Sequence, residues 1–350
     1  MTRVTLAAVQ LSHRAVSLPL ATPFTISRET SVDAPLVWVE VRHGDVAGFG
    51  EAAPDERYDQ TVATAQAFLD TAGDLLGDDP FALEEICARL AERPGEQAAK
   101  AAMDCALHDL LGKLLGVPTW RQYGLRRAGP PTSWTIWLGD PDDMARRAEG
   151  VDPRFRRLKL KLGGRDGLDV ERVRAVRGVT DLPLMVDVNE YWELEEAVEN
   201  IEAISGLDVQ YVEQPLPARD PGGPELKRRA KLPVYVDEDC HTVPDVPGCA
   251  ERAHGINIKL AKSGGIREAI RMAVTARALG LGVMLGCMLE SGLGISAGAQ
   301  VASLCDHVDL DGNLLLAEDP WPGVEFTDGV QLPPDAPGLG VHAQEVSDPR

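Results

Sequence analysis

The run Leu158-Lys159-Leu160-Lys161-Leu162 alternates apolar and basic residues with the two-residue period of a β-strand, so the leucines share one face and both lysines the other. Turning a lysine toward a protein interior is costly unless anions meet it. The strand therefore predicts an apolar layer on one side and a charged site on the other. Five further short β-rich runs follow, residues 184–188, 209–213, 234–237, 255–260 and 283–285, and each leads into an amphipathic helix. Strand and helix in alternation predict parallel strands.

Charged residues end these runs at a regular interval: Lys161 to Asp187 is 26 residues, Asp187 to Glu213 is 26, Glu213 to Asp237 is 24 and Asp237 to Lys262 is 25. A closed (β/α) barrel gathers its strand C-termini around one pocket, whereas an open doubly wound sheet strings them along an edge. The barrel is therefore the expected fold, with five charged groups converging on its mouth.

Ahead of the barrel, residues 36–41 are β-branched and aromatic, His43-Gly44-Asp45 is a turn and residues 46–50 return, which predicts a hairpin. Residues 63–115 read as helical, with Met103, Leu107, Leu110, Leu111 and Leu114 on one face until Gly116 and Pro118 end the pattern. After Asp319 the prolines 320, 322, 333, 334 and 337 break the barrel period. The chain thus divides into an α+β capping domain (1–125), a barrel (126–318) and a terminal segment (319–350) expected to pack back on the cap.

Composition narrows the partners. Apolar residues at 44% and charged residues at 26% are ordinary globular usage, which excludes a disordered chain, and no apolar run is long enough to cross a bilayer. A net charge of -20 repels a phosphate backbone, and Arg154, Arg156 and Arg157 are too few to reverse that field, so no nucleic-acid partner is expected. Residues 1–11 lack a secretory pattern, and a cytoplasmic location is the default expectation. The six cysteines form no C-x-x-C pair and read as reduced structural thiols, Cys287 alone falling near the expected pocket. A homo-oligomer is left open.

Asp187, Glu213 and Asp237 put three hard oxygen ligands on successive strands, which suits octahedral Mg²⁺; no His or Cys accompanies them, which argues against zinc. Lys161 and Lys262, the latter in Asn257-Ile258-Lys259-Leu260-Ala261-Lys262, are expected to flank a bound carbon from both faces, with Lys159 as a charge partner of the pocket. Removing a proton next to a carboxylate produces an aci-carboxylate dianion, which needs a divalent cation at its oxygens, and a lysine base needs a neighbouring cation to lower its pKa.

These residues, together with Val186-Asp187-Val188-Asn189-Glu190, Val212-Glu213-Gln214-Pro215, Val236-Asp237-Glu238-Asp239 and Lys262-Ser263-Gly264-Gly265, resemble the muconate-lactonizing subgroup of the enolase superfamily. The resemblance implies an α/β fold: a modified (β/α)7β TIM-type barrel with an N-terminal α+β capping domain completed by the C-terminal tail. Gly286-Cys287-Met288-Leu289-Glu290-Ser291 and Asp309-Leu310-Asp311-Gly312 look like dipeptide epimerases, L-Ala-D/L-Glu epimerases above all. That implies epimerisation at the Cα of a dipeptide's C-terminal residue, with Lys161 and Lys262 as opposed acid and base, Mg²⁺ on Asp187, Glu213 and Asp237, and a place in cell-wall peptide metabolism. Substrate contacts are implied at Asp309 and Asp311 for the α-ammonium group, at Arg28 on a mobile loop for the glutamate end, and at Tyr58, Thr135, Lys159 and Glu290. Asp59-Gln60 stands where many relatives have glycine and glutamate.

Other chemistries fit parts of the sequence. N-acylamino acid racemase, o-succinylbenzoate synthase and cycloisomerase reactions use the same lysines and metal, but an N-acyl or succinyl group would leave Asp309 and Asp311 unpaired. Gly294-Ile295-Ser296-Ala297-Gly298 matches a serine-hydrolase elbow, with Asp309 and His342 following in order, yet the residues before Ser296 read as a loop entering a helix.

Overall fold

The structure is a computed structural model that describes residues 8–342; residues 1–7 of the N-terminal stretch and 343–350 of the terminal segment lie outside the described residues. Strands β1 (Gln10–Thr25), β2 (Thr30–His43) and β3 (Val46–Ala52) form an antiparallel sheet. The expected hairpin is β2–β3, turning at Gly44 in the left-handed region (φ 60°). Strand β1 was not foreseen. It carries Phe24 and Thr25 into register with Ser31 and Thr30, so the expected loop around Arg28 is a tight hairpin tip closed by Ile26 N–H donating to Glu29 O at 2.9 Å.

The helix Gln97–Leu115 lies directly across β3, and the two glycines of that strand permit the approach. A Cβ on Gly50 would meet the Ala102 carbonyl, and one on Gly48 the Ala106 carbonyl. Its apolar face, Met103, Leu107 and Leu110, is buried with Val37, Val39 and Val41 of β2. Gly116 caps the helix at φ 69°, as its sequence position predicts.

Eight parallel strands follow in chain order: β4 (Trp134–Ile136), β5 (Leu158–Lys161), β6 (Leu184–Asp187), β7 (Val209–Glu213), β8 (Val234–Val236), β9 (Gly255–Lys259), β10 (Gly282–Gly286) and β11 (His307–Asp309). A parallel bridge between Thr132 and Val308, with Ser133 N–H donating to Val308 O at 3.1 Å, closes the ring between β11 and the residues leading into β4. Leu158, Leu160, Val186 and Val212 face outward and are buried against helix residues Val173, Val176, Ala197 and Ile201. Inside, Met185, Tyr211, Tyr235 and Met284 fill the barrel, with His307 stacked 4.7 Å from Tyr211. The terminal segment returns to the N-terminal sheet, where Trp321 packs edge-on against Trp38 at 5.4 Å.

Candidate active site

Strand alternation sorts the interior into two layers. Met185, Tyr211 and Tyr235 lie two residues before Asp187, Glu213 and Asp237 and form an apolar floor under three carboxylates, all fully buried. The same rule puts Lys159 in the floor layer beneath Lys161, and Asn257 beneath Lys259. A cavity of about 380 Å³ opens above, at the strand C-termini, and its wall includes Arg28, Thr135, Lys161, Lys259, Asp309 and Asp311. A larger cleft of about 620 Å³ lies between the helices Leu83–Glu92 and Ile266–Ala278 and holds none of these groups.

Lys161 and Lys259 end β5 and β9, four strands apart in a ring of eight, and so face each other across the cavity. Lys161 Nζ donates to Asp187 Oδ2 at 2.6 Å and to Asn189 Oδ1 at 3.4 Å. Lys259 Nζ sits 2.8 Å from Asp237 Oδ2. Burial alone would lower the Lys259 pKa, but Asp237 and Glu213 outweigh it and raise it above the ordinary lysine value.

Lys262 does not reach this wall. It lies in the short helix Leu260–Ser263 that follows β9, and its ammonium donates to Asp237 Oδ1, to Asp237 O at 2.5 Å and to Cys240 O at 3.0 Å. The sequence reading carried the 25-residue interval one helical turn beyond the strand end. Alternation from Asn257 would have picked out Lys259, as it picked out Lys161 from Lys159.

Other expected contacts are also displaced. Lys159 is buried below the cavity, 2.7 Å from Glu213 Oε2, 2.7 Å from Asp309 Oδ2 and 3.1 Å from Asp187 Oδ2, so it joins the carboxylates and does not face a substrate. Glu290 turns away toward Gly294 and Glu51, accepting from Met288 N–H at 3.0 Å, and burial pushes its carboxyl up to about 7. Tyr58 packs its ring edge-on against His241 at 4.8 Å and is not part of the wall.

Asp309 and Asp311 hold one end of the cavity. Asp309 accepts from Lys159 and Ser133, and Asp311 Oδ2 accepts the Thr135 backbone N–H at 2.7 Å. Burial and the neighbouring Asp309 charge raise Asp311 to about 7. Arg28 reaches the wall from the hairpin tip.

Among the described residues no three acidic, His or Cys side chains are already drawn around one point, because lysines stand between the carboxylates. Burial would raise Asp187 and Asp237, but Lys161 with Lys159, and Lys259 with Lys262, hold both below the usual carboxylate range. Glu213, pushed up to about 7 by burial and by Asp187, keeps Oε2 within ion-pair distance of Lys159 but outside hydrogen-bond geometry, and Asp237 Oδ2 stands likewise to Lys259. Three buried carboxylates on adjacent strands, two with oxygens left without a hydrogen bond, fit a hard divalent cation.

The serine-hydrolase reading fails on geometry. Ser296 is buried inside the helix Gly292–Ala299 with its hydroxyl unpartnered, and β10 ends well before it at Gly286, so no strand-to-helix elbow presents it.

Residues 143–347 match the enolase C-terminal domain-like family, and residues 8–124 match the mandelate racemase/muconate lactonizing enzyme N-terminal domain. The chain is 38% identical over 328 residues to an L-Ala-D/L-Glu epimerase of Bacteroides thetaiotaomicron, covering 93% of this chain and 85% of that one. It is 34% identical over 349 residues to a hydrophobic dipeptide epimerase of a Flavobacteria bacterium, covering 96% and 99%. The crystal structure of a dipeptide epimerase from Enterococcus faecalis, complexed with Mg and L-Leu-L-Tyr, superposes with a TM-score of 0.92 at 29% identity, covering 97% of this chain and all of that one. Fold, site and sequence agree, and the chain belongs to the mandelate racemase/muconate lactonizing enzyme family of the enolase superfamily.

Proposed function

We propose that this chain is a Mg²⁺-dependent dipeptide epimerase that inverts the Cα of the C-terminal residue, with L-Ala-D/L-Glu as substrate. The observation that carries the reading is the placement of Lys161 and Lys259 on opposite walls of one cavity. Inversion needs a base on one face of a carbon and an acid on the other, and two lysines exchange these roles with the direction of reaction. Asp187, Glu213 and Asp237 would hold the cation, which when bound supplies positive charge to the substrate carboxylate and so makes the adjacent carbon more acidic.

The remaining wall orients the dipeptide. Asp309 and Asp311 offer carboxylates to a free α-ammonium group; Asp309 is already matched by Lys159 and Ser133, whereas Asp311 has only the Thr135 N–H, and an N-acyl substrate would add no cation to it, which favours dipeptides over the other reactions of this scaffold. Arg28, at the hairpin tip, is placed to receive an anionic side chain. NMR of L-Ala-L-Glu incubated with the protein and Mg²⁺ is expected to show the L-Ala-D-Glu epimer growing in, and to show none after chelation. Inertness toward Ala-Glu and toward a panel of other dipeptides would refute the assignment.

A further inference from the structure

Glu190 joins four separate segments at the barrel mouth. Arg57, in the three-residue turn Glu56–Tyr58, donates Nε to its Oε2 and Nη2 to its Oε1, each at 2.7 Å. Ala218 N–H, beyond β7, adds a bond of 2.8 Å to Oε1. Arg28 Nη1 reaches Oε2 at 3.3 Å. Glu190 itself follows β6 with φ 76°, beside Asn189 at φ 49°, a backbone conformation that non-glycine residues adopt only when their surroundings impose it.

The consequence falls on Arg28. Its other bonds, to Glu238 Oε1 at 3.0 Å and Asn189 O at 3.4 Å, also run through Nη1. No bond to another described residue uses Nε or Nη2, so one corner of the guanidinium is pinned while its Nε–Nη2 edge stays available on the cavity wall. That edge is the geometry that grips a carboxylate with two parallel hydrogen bonds. Glu190 and Glu238 together would otherwise repel an anion arriving there, and Arg57, which is not part of the cavity wall, supplies the compensating charge.

We infer that Glu190, clamped by Arg57, is a positioning residue that aims Arg28 at the substrate's side chain and so makes the enzyme select dipeptides ending in an acidic residue. This rests on the epimerase reading above. Neither Glu190 nor Arg57 touches the substrate; both act through Arg28.

The test compares kcat and KM on L-Ala-L-Glu and L-Ala-L-Leu for wild type, Glu190→Gln, Arg57→Met, Arg28→Met and the double variant Arg28→Met/Glu190→Gln, each checked for an unchanged unfolding midpoint. Each single variant is expected to lose at least about tenfold more kcat/KM on Ala-Glu than on Ala-Leu, mainly through KM. The double variant is expected to lose no more than Arg28→Met alone, because Glu190 has nothing left to aim. Equal losses on both dipeptides, or additive losses in the double variant, would overturn the inference. Arg57→Met reads the same contact from the more exposed side if Glu190→Gln folds poorly. Wild type active on Ala-Leu but not Ala-Glu would overturn the inference and leave epimerisation standing; wild type inactive on both would overturn the functional reading and the inference with it.

Discussion

Lys259→Met and Lys262→Met are expected to fail in different ways. Lys262 is 2% exposed, and its ammonium satisfies the Asp237 carboxylate and the carbonyls of Asp237 and Cys240. Its removal leaves Asp237 Oδ1 and Cys240 O without their donor and takes one of the donors from Asp237 O, and at about 1–3 kcal/mol per unsatisfied buried group the cost is about 3–5 kcal/mol even though Lys259 still faces Asp237 Oδ2. An unfolding entropy near 2.1 cal/mol/K per residue gives about 0.7 kcal/mol/K for 350 residues, so Tm should fall by about 4–7 °C. Lys259 leaves behind an Asp237 still paired with Lys262, and its loss relieves the burial of a second ammonium, so Tm should move by less than about 2 °C. Turnover should show the reverse order. Lys259→Met loses about 10²–10⁴-fold as an acid/base group, while folded Lys262→Met retains at least about tenfold more activity than Lys259→Met. Differential scanning calorimetry and an epimerisation assay on the same preparations decide it. Unchanged Tm with abolished turnover in Lys262→Met, beside near-normal turnover in Lys259→Met, would refute the reasoning and restore Lys262 as the second acid/base.

Glu51 accepts hydrogen bonds from Trp38 and Ser291, yet burial raises its carboxyl from 4.5 to about 8. A raised folded-state pKa means that its contribution is fully present below about pH 4.5 and lost as pH rises through 8, a span worth at most about 5 kcal/mol. Thermal unfolding from pH 5 to 9 should therefore show a fall in wild type that is shallower in Glu51→Gln; parallel curves would contradict it. Gly50→Ala drives a Cβ into the Ala102 carbonyl and should cost about 2–4 kcal/mol by denaturant unfolding, with an unchanged midpoint as the contrary result. Asp311→Asn removes a carboxylate from the ammonium end of the cavity and should lower kcat/KM on dipeptides by about tenfold or more, with little change in Tm. Retained kcat/KM would remove Asp311 from recognition.

How much of this could be read in the sequence follows from which forces place each residue. The spacing of Lys161, Asp187, Glu213 and Asp237 reflects the strand-helix repeat itself, so the parallel barrel and its convergent charges were legible. Where a local rule sufficed, as with Gly116 ending its helix, position and conformation agreed. Lys262 was misplaced because an interval between units is looser than the alternation within a strand, and β9 stops at Lys259. Lys159 shares a face with Lys161 but lies two residues earlier and so one layer deeper, which is legible only once the strand is known to end at Lys161. Strand β1 escaped notice although Leu11, Val16, Leu18 and Leu20 form an inner face, because that face is only partly buried and Pro19 and Pro23 interrupt the pattern. Tyr58 and Glu290 sit in connecting segments whose direction is set by tertiary packing, against His241 in one case and Glu51 in the other. The pairing of Arg57 with Glu190 spans 133 residues and has no local signature at all.

The central claim, that Lys161 and Lys259 work on opposite faces of one carbon, is tested most directly by α-proton exchange in D₂O. Wild type with Mg²⁺ should wash deuterium into the glutamate Cα of both L-Ala-L-Glu and L-Ala-D-Glu while interconverting them. Lys161→Ala and Lys259→Ala should each abolish interconversion yet retain exchange with one epimer, the two variants retaining opposite epimers. Interconversion that survives in Lys259→Ala, or both variants exchanging the same epimer, would contradict the account.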